Sequence, residues 1–324
     1  MSPVLKLTDL SVSFNTPRGK LKAVRGVTIE LNAGESLGVV GESGSGKTVL
    51  SRATMGLLPR TAERTGTVEY LGKDISNYSA KEVRDLWGTG MAMIFQDPMT
   101  ALNPVRKIGS QLTEGLRIRL QMSKIDAQAR GVELLNRVRI PDPEAVMEKY
   151  PFQLSGGMRQ RVMIAIALAC KPRLLFADEP TTALDVTVQA QVMQLLSELR
   201  HEMGMSMVIV THDLGVVAGH TDRIAVMYAG EVVEIAPTKQ LFANMQMPYT
   251  EALMKSIPRL DTPSGQRLPV ISGRLPDPTQ PETGCSFASR CPYVTDKCHA
   301  EAPPLVEVSP GHSYRCWFPI GGSR

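Results

Sequence analysis

The residues best suited to do chemistry form the stretch Gly41-Glu42-Ser43-Gly44-Ser45-Gly46-Lys47-Thr48, which fits the pattern G-x-x-x-x-G-K-[ST]. Glycines let a backbone curl so that successive N–H groups point inward around a phosphate. We expect Lys47 to reach the β- and γ-phosphates of a nucleotide and the Thr48 hydroxyl to bind Mg²⁺. The alternative is a glycine-rich turn with a chance lysine. The predicted phosphate contacts are Gly41, Ser43, Gly44, Ser45, Gly46, Lys47 and Thr48.

The flanking residues predict the strand and the helix that a phosphate-binding loop requires. Residues 37–40 form an apolar run directly before the loop, and residues 49–58 have a helical pattern that Pro59 ends. A helix that begins at the loop adds a favourable partial charge for an anion. This context favours the phosphate-binding interpretation.

Composition limits the class of protein. A chain of 324 residues suggests about two domains. The formal net charge of +4 is too small to indicate a nucleic-acid partner. The longest apolar run, residues 162–170, is far shorter than the ~18 residues that a membrane-spanning helix needs. The N-terminal residues lack the apolar core of a signal peptide. We therefore expect a chain that does not cross a membrane by itself.

Two further stretches carry chemistry in the middle of the chain. Ser155 is a plausible N-cap of a helix that runs to Cys170, and Gly156 and Gly157 leave N–H groups open at its start, which makes a second anion site. A buried strand ends in Asp178 and Glu179. Two acids at the tip of an apolar strand are costly unless they bind metal or do chemistry. Between the first loop and these stretches, residues 105–139 predict a helical insert.

Four of the five cysteines lie in the last forty residues, at Cys285, Cys291, Cys298 and Cys316. Without an export signal, disulfides are disfavoured and a metal site is the better interpretation. Structural zinc sites have cysteine pairs two to four residues apart, and no such pair occurs here, whereas a [4Fe–4S] cluster takes four cysteines. We therefore expect an iron–sulfur cluster, with Zn²⁺ as the alternative and metal-free thiols as the third possibility. The remaining Cys170 is most simply a small buried residue.

The order of these motifs resembles the nucleotide-binding subunit of an ABC transporter. The matching positions are the loop 41–48 (Walker A), Gln96 (Q-loop), residues 154–158 (signature), residues 174–178 with Glu179 (Walker B), residues 183–185 (D-loop) and His212 (H-loop). The resemblance covers residues 1–236. It implies an α/β fold, the P-loop NTPase ABC cassette, with a mixed sheet core, an antiparallel β subdomain and a helical subdomain at about residues 97–160.

The C-terminal residues are similar to the extension of oligopeptide and dipeptide importers, in particular the D-type ATPase of dipeptide permeases. The similar residues are 273–276, 284–287, 290–293, Cys298 and 311–316. Pro248-Tyr249-Thr250 matches the His-Pro-Tyr-Thr of that subfamily except that Met247 replaces the histidine. We therefore expect an ABC nucleotide-binding domain over residues 1–257, followed at 258–324 by a linker and a small irregular Cys-rich extension. Members of this group are reported to carry a [4Fe–4S] cluster.

The resemblance assigns roles to single residues. Glu179 polarises the attacking water, His212 hydrogen-bonds the γ-phosphate, and Gln96 contacts the metal or the water. Mg²⁺ is held through Thr48, Gln96 and Asp178, and Phe14 stacks on adenine, where tyrosine is more usual. Ser155 and Gly157 bind the γ-phosphate of the nucleotide held by the opposite subunit, and Gly156 and Asp185 are further ATP contacts.

The expected partners are a homologous second ATPase subunit, two transmembrane permease subunits at the cytoplasmic face of the membrane and, indirectly, an extracytoplasmic peptide-binding protein. The expected function is ATP hydrolysis that powers di- and oligopeptide import. Importers of nickel or glutathione are an alternative, because this chain does not read the cargo. A soluble ABC ATPase acting on DNA or ribosomes predicts two cassettes or a long coiled-coil insert, and neither occurs in this sequence.

Overall fold

The computed structural model describes residues 3–182, 184–257, 271–280 and 283–321. In chain order, the strands are β1 Leu5–Thr16, β2 Gly19–Leu31, β3 Ser36–Val40, β4 Ala62–Tyr70, β5 Lys73–Asp74, β6 Met91–Ile94, β7 Leu174–Asp178, β8 Ser206–Thr211, β9 Arg223–Tyr228, β10 Glu231–Pro237, β11 Val306–Ser309 and β12 His312–Tyr314. The helices are α1 Lys47–Thr54, α2 Ala80–Leu86, α3 Pro98–Ala101, α4 Ile108–Arg119, α5 Lys124–Arg137, α6 Pro143–Glu148, α7 Gly156–Leu168, α8 Val186–Met203, α9 Leu214–Ala218, α10 Thr238–Ala243, α11 Pro248–Lys255 and α12 Asp296–Ala300. Short 3₁₀ turns occur at Pro151–Gln153 and Ala288–Arg290.

The chain divides into two compact units. Unit one consists of residues 1–32, 36–77 and 210–324, and unit two consists of residues 33–35 and 78–209. The predicted helical subdomain, residues 97–160, contains α3 to α6 and the first turn of α7, all of which belong to unit two. The predicted boundary at residue 258 stays a prediction, because residues 258–270 lie outside the described ranges.

Unit one holds an antiparallel sheet with the strand order β2-β1-β4-β5. It also holds five strands in the order β11-β12-β10-β9-β3, in which β3 and β9 are parallel and the other neighbours are antiparallel. Every residue of β3 is buried, as expected for a strand covered on both faces. The phosphate-binding stretch leaves the end of this strand.

Unit two orders its strands β8-β7-β6, with Met91 of β6 opposite Leu174 of β7 in parallel register. Asp185 caps the start of α8, and Gly204 ends this helix with φ 62°. The N-cap predicted for Ser155 is confirmed at the start of α7. These elements therefore begin where their capping residues predict.

Two predictions differ from the structure. The first helix ends at Thr54 rather than near residue 58, because Gly56 adopts φ 66° and ends the helix in the left-handed region. The second concerns the extension, which was predicted to be irregular. Its described residues include α12 and the β11–β12 pair, and β12 is hydrogen-bonded to β10. Strands of three or four residues are too short to show periodicity in the sequence.

An aromatic cluster packs the extension onto the rest of unit one. Phe287 lies edge-on to Tyr228 of β9, with 5.3 Å between the ring centroids, and at the same distance from the ring of Tyr249 on α11. The rings of Tyr228 and Tyr249 lie 4.6 Å apart. Phe287 is 1% exposed, so its packing contributes to the stability of the whole unit.

We expect Phe287→Ala to lower the free energy of unfolding by about 3–5 kcal/mol, because it removes a fully buried ring. Chemical denaturation of the full chain measures this. Phe152→Ala is the control, since that ring is 67% exposed and its removal should change stability by less than about 0.5 kcal/mol. Equal losses for the two variants would contradict the role of the cluster.

Candidate nucleotide site and cysteine pocket

The phosphate-binding loop joins β3 to α1 in unit one, and two of its glycines are required by geometry. Gly41 has φ 154°, and a Cβ there would lie 2.1 Å from the carbonyl oxygen of Met227. Gly46 has φ 100°, and a Cβ there would lie 2.3 Å from the carbonyl oxygen of Ala23. Neither position has room for a side chain, so the curl of the loop depends on glycine.

The ammonium group of Lys47 lies inside the loop. Lys47 is 5% exposed, and its Nζ donates hydrogen bonds to the carbonyl oxygens of Gly41 at 2.7 Å and Glu42 at 2.8 Å. The hydroxyl of Ser45, itself buried, lies 3.4 Å from Nζ. A buried cation surrounded by neutral oxygens favours an arriving anion, so this arrangement suits phosphate binding.

The rest of the predicted loop surrounds this lysine as expected. Ser43 and Gly44 are exposed, and Thr48 is half-buried at the second position of α1. The carbonyl oxygen of Ser45 accepts a hydrogen bond of 3.0 Å from the N–H of Gly230, in the turn between β9 and β10. The loop is thus held at its middle by a neighbouring turn of unit one.

In unit two, polar side chains converge on Glu179, the residue after β7. Its Oε2 accepts hydrogen bonds from Gln96 Nε2 at 2.9 Å and from the Thr182 hydroxyl at 2.8 Å. Asp178, the last residue of β7, is 1% exposed. The structure therefore brings the predicted residues Gln96 and Glu179 together. Thr182 was missed, and only its place three residues after the acid could have indicated it.

The signature serine and the D-loop aspartate cap neighbouring helices of unit two. The Ser155 hydroxyl accepts a hydrogen bond from the Met158 N–H at 3.3 Å, and an Asp185 carboxylate oxygen accepts one from the Val188 N–H at 3.0 Å. A Cβ at Gly157 would lie 3.1 Å from Val188 Cγ1. Gly156 is half-buried beside them. The two helix starts therefore lie side by side; Ala183 of the D-loop lies outside the described residues.

Phe14 and His212 are placed in unit one. Phe14 lies in β1 opposite Leu21 of β2 and Ala62 of β4, and its side chain is half-buried, which argues against an ordinary core position. His212 follows β8 and is exposed. Their contacts with adenine and with the γ-phosphate stay predictions.

The four C-terminal cysteines lie around one pocket of unit one, and all four are free thiols. Its other walls are apolar, with Met247, Phe287 and Trp317 among them. The residue that replaces the expected histidine, Met247, is thus part of this wall. In contrast, the fifth cysteine, Cys170, lies two residues after the end of α7 and is buried, as predicted. Burial raises the pKa of its thiol.

Two thiols of this pocket, Cys285 and Cys316, have strongly raised pKa values. Burial is the main cause and the neighbouring cysteines add to it, so that the pKa of Cys285 is raised to about 12 and that of Cys316 to about 11. Among the residues that the structure describes, no group of three or more His, Cys, Asp or Glu side chains is arranged to hold a metal ion. The cysteine pocket therefore has the donor atoms of a metal site, but not the geometry of a bound single ion.

A lysine buried among the oxygens of a glycine-rich loop defines the class of the phosphate-loop nucleotide-binding proteins. Two family models refine this class: one described as ABC transporter matches residues 24–182, and one described as oligopeptide/dipeptide transporter, C-terminal region, matches residues 233–298. The chain belongs to the ATP-binding proteins of the ABC transporter family, in its oligopeptide/dipeptide branch. It is an ABC ATPase.

Relatives match almost the whole chain. The dipeptide transport ATP-binding protein DppD of Bacillus subtilis is 47% identical over 98% of this chain and 95% of its own length. The oligopeptide transport ATP-binding protein OppD of Salmonella typhimurium is 45% identical over 98% of this chain and 94% of its own length. The predicted resemblance, including the C-terminal extension, is therefore confirmed at the level of family.

Solved structures confirm the cassette fold. A dimeric ATP-binding cassette in a post-hydrolysis state with ADP and Pi is 28% identical, with a TM-score of 0.65 over 72% of this chain and 98% of that one. A component of an ABC transporter complex from Clostridium perfringens is 29% identical, with a TM-score of 0.65 over 75% of this chain and 92% of that one. The fold class is thus the predicted α/β ABC cassette.

We expect Gly46→Ala to weaken the binding of Mg·ATP about tenfold or more, because the strained φ and the clash with Ala23 displace the loop. Gly34→Ala is the matched control: its φ is 75°, but a Cβ there meets no atom within 4 Å. Both variants carry the backbone strain, and only Gly46→Ala carries the clash. Equal affinity in titrations of the two variants with a fluorescent ATP analogue would contradict this account.

Proposed function

We propose that this chain hydrolyses ATP to power the import of dipeptides or oligopeptides through a membrane ABC transporter. The observation that carries the proposal is the match of peptide-transport ATP-binding proteins, 45–47% identical, over 98% of the chain. That match includes the C-terminal region of oligopeptide/dipeptide transporters. No helix in the described parts of the chain is long and apolar enough to span a bilayer. We place the chain at the cytoplasmic face of the membrane, bound to two permease subunits that a peptide-binding protein serves.

The residues of the phosphate loop bind and orient the nucleotide. Lys47 exchanges carbonyl partners for phosphate oxygens, and the N–H groups at the start of α1 hold the same phosphates. Thr48, Gln96 and Asp178 would hold Mg²⁺, which neutralises phosphate charge when bound. Phe14 stacks on the adenine, and His212 donates a hydrogen bond to the γ-phosphate.

Glu179 polarises the water that attacks the γ-phosphate. Its carboxylate is held by Gln96 and Thr182, which orients it to accept a proton from the attacking water. Gln96 donates to this carboxylate and is also exposed, so a permease partner that contacts Gln96 can change the position of Glu179. Phosphoryl transfer needs this positioning more than covalent chemistry.

Two cassettes sandwich the nucleotides. Ser155 and Gly157 would bind the nucleotide held by the opposite subunit, with Gly156 and Asp185 as further ATP contacts. The exposure of Ser155 and Asp185 supports these roles. The adjacent starts of α7 and α8 present N–H groups to an anion together. The opposite subunit is a homologous ATPase rather than a second copy of this chain.

Glu179→Gln should abolish ATP turnover while ATP binding is retained, because the amide keeps its size but accepts protons poorly. We expect a loss of about 10²-fold or more in the hydrolysis rate of the assembled transporter. Lys47→Ala is the contrasting variant, which should lose binding itself. Turnover near the wild-type rate in Glu179→Gln would overturn the assignment of the base.

The cysteine pocket would hold a [4Fe–4S] cluster through Cys285, Cys291, Cys298 and Cys316. Four thiols around one pocket provide the ligand set that such a cluster takes. Zn²⁺, which structural sites bind through four cysteine or histidine ligands, would be the alternative occupant.

Purification without oxygen should yield a brown protein with about four irons and four sulfides per chain and a broad absorption near 400 nm, as four cysteine ligands predict. Cys291→Ser should lose the colour, and Cys170→Ser, the matched control outside the pocket, should keep it. One zinc without colour would replace the cluster by a structural ion. The absence of any metal would overturn both.

A further inference from the structure

The phosphate loop of unit one is held from outside by an arginine of the extension. Arg290 ends the 3₁₀ turn Ala288–Arg290, and its side chain is 3% exposed. Its Nη1 donates to Glu42 Oε2 at 2.6 Å, and its Nη2 donates to Glu42 Oε1 at 2.9 Å. Glu42 is the second residue of the phosphate loop, so a two-pronged ion pair joins the extension to the loop.

The guanidinium of Arg290 has a partner for each of its five N–H groups. Besides the two bonds to Glu42, Nη1 donates to the Tyr228 hydroxyl at 3.3 Å, Nη2 to the Ile271 carbonyl at 3.1 Å and Nε to the Ser272 carbonyl at 2.9 Å. An arginine with five fixed donors has one orientation. The carboxylate of Glu42 is therefore held in one place.

The peptide groups of Glu42 link this constraint to Lys47. The Glu42 N–H donates to the Tyr249 hydroxyl at 2.9 Å, and the Glu42 carbonyl accepts from Lys47 Nζ at 2.8 Å. One residue thus receives Arg290 on its side chain, Tyr249 on its N–H and Lys47 on its carbonyl. Moving the carboxylate of Glu42 would move an oxygen that positions the lysine.

The segment that Arg290 anchors also reaches the loop directly. A Cβ at Gly44 would lie 3.4 Å from Leu275 Cδ1, in ordinary van der Waals contact. Farther along the same segment, the Pro278 carbonyl accepts a hydrogen bond of 3.0 Å from the N–H of Lys22 in β2. A Cβ at Gly273 would lie only 3.2 Å from Arg290 Cγ, so the segment passes closely over the arginine. The extension therefore forms an outer wall of the phosphate loop.

We propose that Arg290 is a positioning residue for the ATPase reaction, which acts through Glu42 to hold the phosphate loop and Lys47 in the geometry that binds ATP. This inference rests on the proposed function, since it assumes that the loop binds ATP. Arg290 touches neither substrate nor reacting atoms in this account. The C-terminal extension then contributes to the nucleotide site as well as to the cysteine pocket.

The test measures Mg·ATP affinity of the full chain for Arg290→Ala, Glu42→Ala and the double variant. Truncating one partner of a buried charge pair should weaken binding about tenfold or more. Because both residues act through one pair, the double variant should bind within about twofold of the weaker single variant, as coupled residues do. If the loss of affinity in the double variant equals the product of the two single losses, the residues act independently and the proposal is overturned.

Arg315→Ala is the matched control, because Arg315 also lies in the extension directly before a cysteine of the pocket. Its hydrogen bonds go to the carbonyl oxygens of Val232 and Pro303 and not to the loop. We expect its affinity for Mg·ATP to stay within about twofold of wild type, since no loop contact is lost. A drop equal to that of Arg290→Ala would reduce Arg290 to a structural role.

Glu42→Gln keeps the result interpretable if Arg290→Ala fails to fold. This substitution changes one atom, far in sequence from the cysteines. It should weaken Mg·ATP binding, as Arg290→Ala does, because a neutral amide has one oxygen and can accept only one of the two hydrogen bonds from Arg290. Wild-type affinity in a folded Arg290→Ala or Glu42→Gln would overturn this proposal alone. A wild-type chain that does not bind ATP would instead overturn the proposed function.

Discussion

The buried ammonium of Lys47 is the constraint on which the phosphate site of unit one depends. A charge removed from water is unfavourable unless polar groups surround it, and here the carbonyl oxygens of Gly41 and Glu42 do so. Those carbonyls can face the lysine only because the backbone at Gly41 and Gly46 takes positive φ values close to neighbouring strands. The glycines, the strand ends and the lysine therefore depend on one another.

In unit two, the electrostatic constraint is a pair of neighbouring acids. Two acids follow each other at the end of β7: Asp178 is buried, and Glu179 is half-buried with a left-handed backbone of φ 45°. The carboxylate of Glu179 accepts hydrogen bonds from two neutral donors, the Gln96 amide and the Thr182 hydroxyl. These two hydrogen bonds fix the orientation of the carboxylate, as the proposed general base requires.

Motifs confined to a few consecutive residues could be predicted from the sequence, because their chemistry and their spacing are local. The phosphate loop, the serine cap of α7 and the carboxylates after β7 are of this kind. The pair of Arg290 and Glu42 spans 248 residues and could not be predicted, since either residue alone is an ordinary surface charge by type. The short strands β11 and β12 were missed for a related reason: their pairing is set by β10 and not by their own pattern.

The pairing of β12 with β10 has a consequence for how this chain can be cut. The central residues of β10 are buried, among them Val232, Val233 and Ile235. Strand β12 pairs with β10 through backbone hydrogen bonds along one edge. A chain shortened before residue 306 would leave β10 as an open apolar edge, which recruits strands from other molecules. The extension thus also serves as a guard against aggregation, so a truncated cassette is a poor substitute for the full chain.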